Sequence, residues 1–242
     1  MKKEDVTIKY DNGEFSAYLV SHEKSDLAVI LIEEIWGLND HIKDVSERVA
    51  GLGYTVLSPE LLGDTGVLEK ISPEIYLEMR NPETRDEAQK KMREATAPLH
   101  TPEFGKDAIA KLQAVFDLLK GRQIIKIGIM GFCFGGTYSY AFTAANPELK
   151  ACIAFYGQPP LDKVSGINCP VMGFYGEKDK RLIDSLPQFE MQMKEYNKDF
   201  TYKVYKNTGH AFFNDTNKMT YNKEAAEDAW RLTVNFLKEN LG

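Results

Sequence analysis

The apolar and polar positions of the chain alternate between short apolar runs and amphipathic stretches. Apolar runs at residues 27–32, 54–58, 124–130, 150–156 and 169–175 have the length of strands that are buried on both faces. Helical periodicity separates them, most clearly at 40–52 and 104–120. This order predicts an α/β fold with a mostly parallel central sheet and helices on both faces.

The two ends of the chain extend this pattern. Residues 6–10 and 14–20 alternate like strands and are joined at Asp11-Asn12-Gly13, which is a strong hairpin signal. Towards the C-terminus, the pattern predicts a helix near 185–197, a strand at 201–205 and a final helix at about 222–240.

Residues 61–100 break the rhythm. Short helical stretches there are separated by several turn-forming residues: Gly63, Gly66, Pro73, Pro82 and Pro98. We expect a cap or lid that lines one wall of a site, and the alternative is a surface excursion without a catalytic part. The length of 242 residues otherwise fits a single domain, 1–242.

The most informative motif is Gly131-Phe132-Cys133-Phe134-Gly135-Gly136, between the run at 124–130 and the small-residue run at 137–146. It predicts a strand, a sharp turn and a helix. This is the G-x-C-x-G form of the nucleophile elbow of α/β-hydrolases, with cysteine where serine usually stands. The helix N-terminus would favour a Cys133 thiolate. The alternative is a small buried cysteine at a close helix–sheet contact.

An acid and a base follow in the order that this fold requires. Asp179 lies in the tight loop after the apolar run ending at Tyr175, and His210 lies in the loop after the strand at 201–205. Cys133, Asp179 and His210 therefore make a complete candidate triad. For the remaining histidines we favour structural or surface roles: His22, His41 and His100.

A tetrahedral intermediate also needs oxyanion donors. The backbone N–H of Phe134, directly after the nucleophile, is one candidate, and that of Ile35, after the strand at 27–32, is the other. Glu33 and Glu34 precede Ile35. Adjacent carboxylates directly after a buried strand are costly unless one is hydrogen-bonded or functional, and the alternative is two solvated loop charges.

Four segments together resemble the dienelactone hydrolase family of α/β-hydrolases. They span most of the chain in the right order: Glu34-Ile35-Trp36-Gly37, the Cys133 elbow, Gly176-Glu177-Lys178-Asp179 and Gly209-His210-Ala211-Phe212. The resemblance implies hydrolysis of small esters or lactones through an acyl-thioester on Cys133. It also implies that Glu34 interacts with Cys133 and helps to control its ionisation.

The substrate-binding pattern of that family is not fully present. The prototype enzymes hold a substrate carboxylate with arginines, one of them a few residues after the histidine, where this chain has Asn214. A neutral amide cannot replace a bidentate arginine clamp. Arg80 or Arg85 could supply another clamp. The alternative, a solvated arginine on a helix, is at least as well supported. We therefore expect ester, lactone or thioester hydrolysis without committing to dienelactone.

Three aromatic residues adjoin catalytic positions and are candidates for substrate contact. Trp36 follows the candidate oxyanion residue, Phe212 follows the histidine and Tyr156 ends a predicted strand before Gly157. Aromatic side chains so placed are more often part of a core.

Composition narrows the class of protein. The net charge of -6 argues against nucleic-acid binding, because that function requires clustered basic residues. No apolar run reaches membrane length and no secretory leader pattern is present, so we expect a cytoplasmic protein, monomeric or a small homo-oligomer. Three cysteines suggest no disulfide framework, and Cys152 and Cys169 are expected to be buried and inert. Nothing in the sequence implies a metal or a cofactor.

Two other functional classes remain open. A thiol-based redox protein would need a resolving cysteine near Cys133. A catalytically inactive binding protein on a hydrolase fold is the other alternative.

Overall fold

The computed structural model describes residues 1–22, 25–72 and 74–242, with the side chains of Tyr76 and Arg80 excepted. Pro73 and the Arg80 side chain therefore lie outside the described part. The strands are β1 (Lys2–Tyr10), β2 (Gly13–Ser21), β3 (Leu27–Ile32), β4 (Thr55–Pro59), β5 (Lys126–Phe132), β6 (Ala151–Phe155), β7 (Val171–Gly176) and β8 (Phe200–Tyr205). The α-helices are α1 (Asp40–Ala50), α2 (Ile75–Arg80), α3 (Arg85–Thr96), α4 (Pro102–Gly121), α5 (Phe134–Ala145), α6 (Lys180–Glu195) and α7 (Lys223–Asn240).

All eight strands join one sheet in the order β1-β2-β4-β3-β5-β6-β7-β8. In this order, the six strands β4, β3, β5, β6, β7 and β8 are parallel to one another. Strand β2 pairs antiparallel with both β4 and β1. The hairpin of β1 and β2 closes with Tyr10 opposite Gly13, as the turn sequence predicts. The α/β prediction is therefore confirmed.

Helices cover the sheet on both faces, because its central strands are apolar on both sides. One core layer lies under α1 and α7 and includes Val29, Val45 and Leu237, all fully buried. The other lies under α4 and α5 and includes Ile30 and Leu112. Because the six central strands are parallel, their carboxyl ends meet at one edge of the sheet.

Helix α6 begins five residues before its predicted start at 185, so that boundary was wrong. It starts directly after Asp179, and its buried stripe contains Leu182, Leu186, Phe189 and Met193. Pro187 lies inside the helix and removes one backbone donor. Burial of this stripe keeps the helix continuous through the proline.

Residues 61–100 contain α2, α3 and a short 3₁₀ helix at Ala97–His100. They form a small core of their own from Leu62, Val67, Ile71, Ala95 and Leu99. This core packs against side chains that follow β3 and begin α5, including Ile35, Trp36 and Phe134. The excursion thus lies beside the carboxyl edge of the sheet.

Glycines allow α5 to approach the sheet at backbone distance. A Cβ on Gly136 would lie 2.7 Å from the carbonyl oxygen of Phe155 and 3.0 Å from the Cα of Gly157. Both of these contacts are backbone, so neither can move aside as a flexible side chain would.

We expect Gly136→Ala to lower the free energy of unfolding by about 2 kcal/mol or more, because helix and strand must separate to admit the methyl group. Gly121→Ala is the matched control, since a Cβ there meets nothing within 4 Å. It should be neutral or slightly stabilising. Equilibrium urea unfolding measures both, and equal stabilities would contradict the close approach.

Candidate active site

Cys133 occupies the sharp turn between β5 and α5. Its backbone has φ 55° and ψ −113°, a left-handed conformation that is strained for a side-chain-bearing residue. Two backbone hydrogen bonds hold it: its N–H donates to Phe155 O at 2.9 Å, and its C=O accepts from the N–H of Thr137 at 3.1 Å. Such strain costs of order 1–3 kcal/mol and persists where surrounding contacts enforce it.

Strain recurs around Cys133. Tyr156, at the end of β6, has φ 40°, and Ala211, directly after His210, has φ 59°. The rings of Tyr156 and His210 lie 5.0 Å apart between centroids. Three side-chain-bearing residues with positive φ therefore adjoin this one location, which is the pattern that strained functional sites show.

Asp179 and His210 meet across neighbouring loops. Asp179 Oδ2 lies 2.5 Å from His210 Nδ1. The loops after β7 and β8 are tied together by backbone bonds, since Glu177 N–H donates to Tyr205 O at 3.0 Å and Lys178 N–H to Thr208 O at 2.9 Å. These bonds fix the separation of acid and base.

The pKa of His210 is raised from its ordinary 6.5 to about 10. Burial alone would lower this pKa, but the negative charge of Cys133 and hydrogen bonds to Asp179 and Cys133 outweigh it. The contact between the ring and both partners brings the predicted triad together. The raised pKa favours the charged imidazolium form of the His210 ring beside these two partners.

The two candidate oxyanion donors belong to the end of β3 and the start of α5, which lie against each other. Ile35 sits in a tight turn that the N–H of Gly37 closes by donating to Glu34 O at 3.0 Å, with Gly37 at φ 76°. A Cβ on Gly135 would lie 2.5 Å from the carbonyl oxygens of Ile32 and Glu33, so α5 begins directly against the end of β3. Ile35 and Phe134 both line the cavity at Cys133.

Glu34 is buried and has hydrogen bonds to two neutral side chains. The hydroxyl of Tyr156 donates to its Oε1 at 3.1 Å, and the amide of Asn214 donates to its Oε2 at 2.6 Å. Asn214 is itself held in place, because Thr216 donates to its Oδ1 from both N–H and hydroxyl. Asn214, which stands where the family resemblance leads us to expect an arginine, thus binds Glu34.

Glu33 is also fully buried, but it faces the excursion. Its Oε1 accepts from the N–H of Leu62 at 3.0 Å, and Oε2 has no partner among the described residues. Burial raises its pKa to about 8. The alternative of two solvated loop charges is therefore wrong for this pair.

A cavity of about 1110 Å³ opens at Cys133 and His210. Of the predicted substrate-contact residues, Tyr156 lines it. Phe212 does not, because it is fully buried with its ring against Tyr156 and Tyr205. Trp36 packs with the core of the excursion, and Arg85 is exposed on α3 beside Asp86.

The sequence analysis missed several lining residues. Arg181 donates from Nη1 to Gln158 Oε1 at 3.0 Å, and both line the cavity. His100 lines it as well. Arg181 follows Asp179 by two positions, which is the signal that could have identified it.

The other histidines and cysteines are placed as follows. His41 is buried, with Nδ1 3.5 Å from the Asp215 carboxylate, and His22 lies just after β2. Cys152 and Cys169 are buried, and burial raises the pKa of the Cys169 thiol to about 12. Within residues 1–22, 25–72 and 74–242, no group of three or more His, Cys, Asp or Glu side chains is arranged to hold a metal. In the same part of the chain, every helix is too short or too polar to cross a bilayer.

Comparison with known proteins places this geometry among hydrolases. The family model described as "Dienelactone hydrolase family" matches residues 15–241. A candidate carboxymethylenebutenolidase of Saccharolobus solfataricus is 34% identical over 257 residues, covering 98% of this chain and 98% of that protein. Another, of Synechocystis, is 31% identical and covers 93% of this chain and 92% of that protein.

Solved structures agree with the sequence relatives. A candidate dienelactone hydrolase of Klebsiella pneumoniae superposes with a TM-score of 0.77 at 26% identity, covering 98% of each chain. A dienelactone hydrolase of Anabaena variabilis superposes with a TM-score of 0.69 over 100% of this chain and 99% of that one. Its 15% identity supports the shared fold alone.

We expect the His210 ring to titrate near pH 10, well above an ordinary histidine, because Cys133 and Asp179 stabilise its charged form. NMR of the imidazole protons against pH measures this, with His210→Gln identifying the signal. Asp179→Asn should move the midpoint down by at least one pH unit. The stabilising effect of the charged ring is present below pH 6.5 and disappears as the pH rises through about 10. An ordinary midpoint in the wild type would contradict the arrangement.

We expect Glu33 to make folding stability fall as the pH rises from 4.5 towards 8, because its folded form retains a proton that the unfolded form loses. Between about pH 5 and pH 8, the free energy of unfolding of Glu33→Gln should decrease less than that of the wild type, by on the order of 2 kcal/mol. Urea unfolding at both pH values measures it. Glu69→Gln, on the exposed surface of the same segment, is the control. Identical pH dependence in wild type and Glu33→Gln would refute the buried neutral carboxyl.

Proposed function

The chain belongs to the dienelactone hydrolase family, and from this membership and the site geometry we propose that it hydrolyses small esters or lactones with Cys133 as nucleophile. Residues 1–242 form the single hydrolase domain in this proposal. The observation that carries it is the contact of His210 with both Asp179 and Cys133, with Cys133 on the strained turn. No metal or cofactor takes part in the proposed reaction.

The first half-reaction acylates the cysteine. The Cys133 thiolate attacks the carbonyl carbon, and the carbonyl oxygen becomes an oxyanion beside the N–H groups of Phe134 and Ile35. When the intermediate collapses, the bond to the leaving group breaks and His210 donates a proton to the departing oxygen. An acyl-thioester on Cys133 and the free alcohol result.

The second half-reaction restores the enzyme. His210, now neutral, takes a proton from water as the water attacks the thioester carbonyl. Collapse of the second intermediate releases the carboxylic acid and returns the thiolate, with His210 charged again. Asp179 holds the ring through Nδ1 and stabilises its charged form throughout.

Glu34 is the positioning residue of this proposal. Its buried carboxyl group accepts hydrogen bonds from two neutral donors, Tyr156 and Asn214. Through Tyr156, whose ring packs at a tilt against that of His210, it is connected to the base. We assign to it control of the ionisation of Cys133, as the family resemblance implies.

The substrate is defined more broadly than dienelactone. Asn214 is bound to Glu34 and offers no bidentate clamp for a carboxylate. The redox alternative loses support because Cys152 and Cys169 are buried, and neither can act as a resolving thiol for a reagent in the cavity. The contacts within the triad argue against an inactive binding protein.

We expect Cys133→Ala to lower turnover of p-nitrophenyl acetate at least a thousandfold, because no other nucleophile lies on the strained turn. Stopped-flow traces should show a burst of p-nitrophenol and then steady turnover in the wild type, and neither in Cys133→Ala. Cys169→Ala is the matched control and should keep both phases, since its thiol is buried. Activity of Cys133→Ala within a few-fold of wild type would refute the assignment.

A further inference from the structure

The cavity at Cys133 continues along one face of α5. The residues of this helix that line it are Phe134, Thr137, Tyr138, Ala141, Ala144 and Ala145. Their spacing of three and four positions places them on one side of the helix. The cavity is therefore a groove that begins at the nucleophile and runs towards the C-terminal end of α5.

Two segments form the sides of this groove. Gly105 and Ile109 of α4 line the groove, and so do Ser165 and Gly166 of the loop after β6, with the charged residues Lys106, Asp162 and Lys163 nearby in the same lining. At the far end the loop meets the helix backbone, because a Cβ on Gly166 would lie 2.2 Å from the carbonyl oxygen of Ala144. The groove thus has a floor, two walls and an end.

The floor of the groove is mostly apolar, with the Thr137 hydroxyl as an exception near Cys133, and its side chains are small beyond Tyr138. Phe134 and Tyr138 lie near the nucleophile, whereas Ala141, Ala144 and Ala145 leave space further along. Burial raises the pKa of Tyr138 to about 12. A small acetyl group would occupy only the beginning of such a groove.

The length of the groove suggests its occupant. From Phe134 to Ala141 is seven residues, or about 10 Å along the helix axis at ~1.5 Å per residue. An extended chain with C–C bonds of about 1.5 Å advances roughly 1.3 Å per carbon, so about eight carbons reach Ala141. Ala145 lies a further turn along.

We propose that this groove binds the linear aliphatic arm of an ester or thioester substrate, so that chains of medium length are preferred to acetyl. The inference rests on the proposed function, because the groove begins at Cys133. Each methylene that is fully removed from water favours binding by roughly fourfold. A chain that is half covered gains less per carbon but still accumulates a large preference.

Chain-length dependence tests the proposal in the wild type. We expect kcat/KM for p-nitrophenyl octanoate to exceed that for the acetate at least tenfold, each corrected for uncatalysed hydrolysis. Ethyl octanoate and octyl acetate, compared with ethyl acetate, distinguish an acyl arm from an alcohol arm in the groove. Either preference supports an aliphatic occupant, and a flat series in both overturns it.

Three variants locate the binding site. Ala141→Phe places a ring across the groove, and we expect it to lower the ratio of octanoate to acetate activity at least tenfold. Ala145→Phe obstructs it one turn further, so its selectivity loss should begin at a longer chain, such as dodecanoate. Ala110→Phe, on α4 outside the groove, is the matched control and should keep the wild-type ratios.

The outcomes separate the two proposals. Turnover of p-nitrophenyl acetate that depends on Cys133, combined with no chain preference, would leave the hydrolase intact and overturn the groove. Equal loss of selectivity in Ala110→Phe would overturn it also. Failure of the wild type to hydrolyse any of the esters would refute the proposed function itself. Should Ala141→Phe not fold, as thermal melting would show, Ala145→Phe still tests the groove.

Discussion

The backbone contact between the start of α5 and the carboxyl edge of the sheet is the constraint on which the site depends. Gly135 lies against the carbonyls that end β3, and Gly136 lies against the end of β6. No side chain fits at either position. Because the helix is pressed onto two strand ends at once, the residue before it must take a left-handed conformation, and that residue is Cys133.

The same edge gathers two buried carboxyl groups, and the cost of burying them is offset in two different ways. Glu34 accepts hydrogen bonds from two uncharged side chains, those of Tyr156 and Asn214. Glu33, one residue earlier, accepts a hydrogen bond from the backbone N–H of Leu62 and holds its proton to about pH 8 instead. The two adjacent side chains therefore have different partners, Glu34 in Tyr156 and Asn214 and Glu33 in Leu62 of the excursion.

The fold could be predicted, and so could the loops that carry the three candidate residues, because both depend on local signals. Buried strands read as apolar runs, Asp-Asn-Gly marks a hairpin, and the order of nucleophile, acid and base follows from the connections of the sheet. The start of α6 was missed because Pro187 suggests a helix boundary, whereas buried side chains on both sides of it keep the helix intact.

Side-chain direction at loop positions was not predictable from sequence. Phe212 lies two residues after His210, yet Ala211 between them has a positive φ and the ring of Phe212 is buried in the core. From the sequence, Asn214 is only a residue at the position where an arginine is expected. The packed structure shows that its amide donates a hydrogen bond to Glu34. Arg181 and the groove along α5 likewise depend on which faces the packed helices leave open.

The central claim is that Cys133 carries the acyl group during turnover. The most direct measurement is mass spectrometry of the enzyme quenched in acid during steady hydrolysis of p-nitrophenyl acetate, followed by peptide mapping. The account predicts one added acetyl group on the peptide that contains Cys133, which decays when substrate is exhausted and never forms in Cys133→Ala. Steady turnover with an unmodified Cys133 peptide, or an acetyl group on another residue with the same decay, would contradict it.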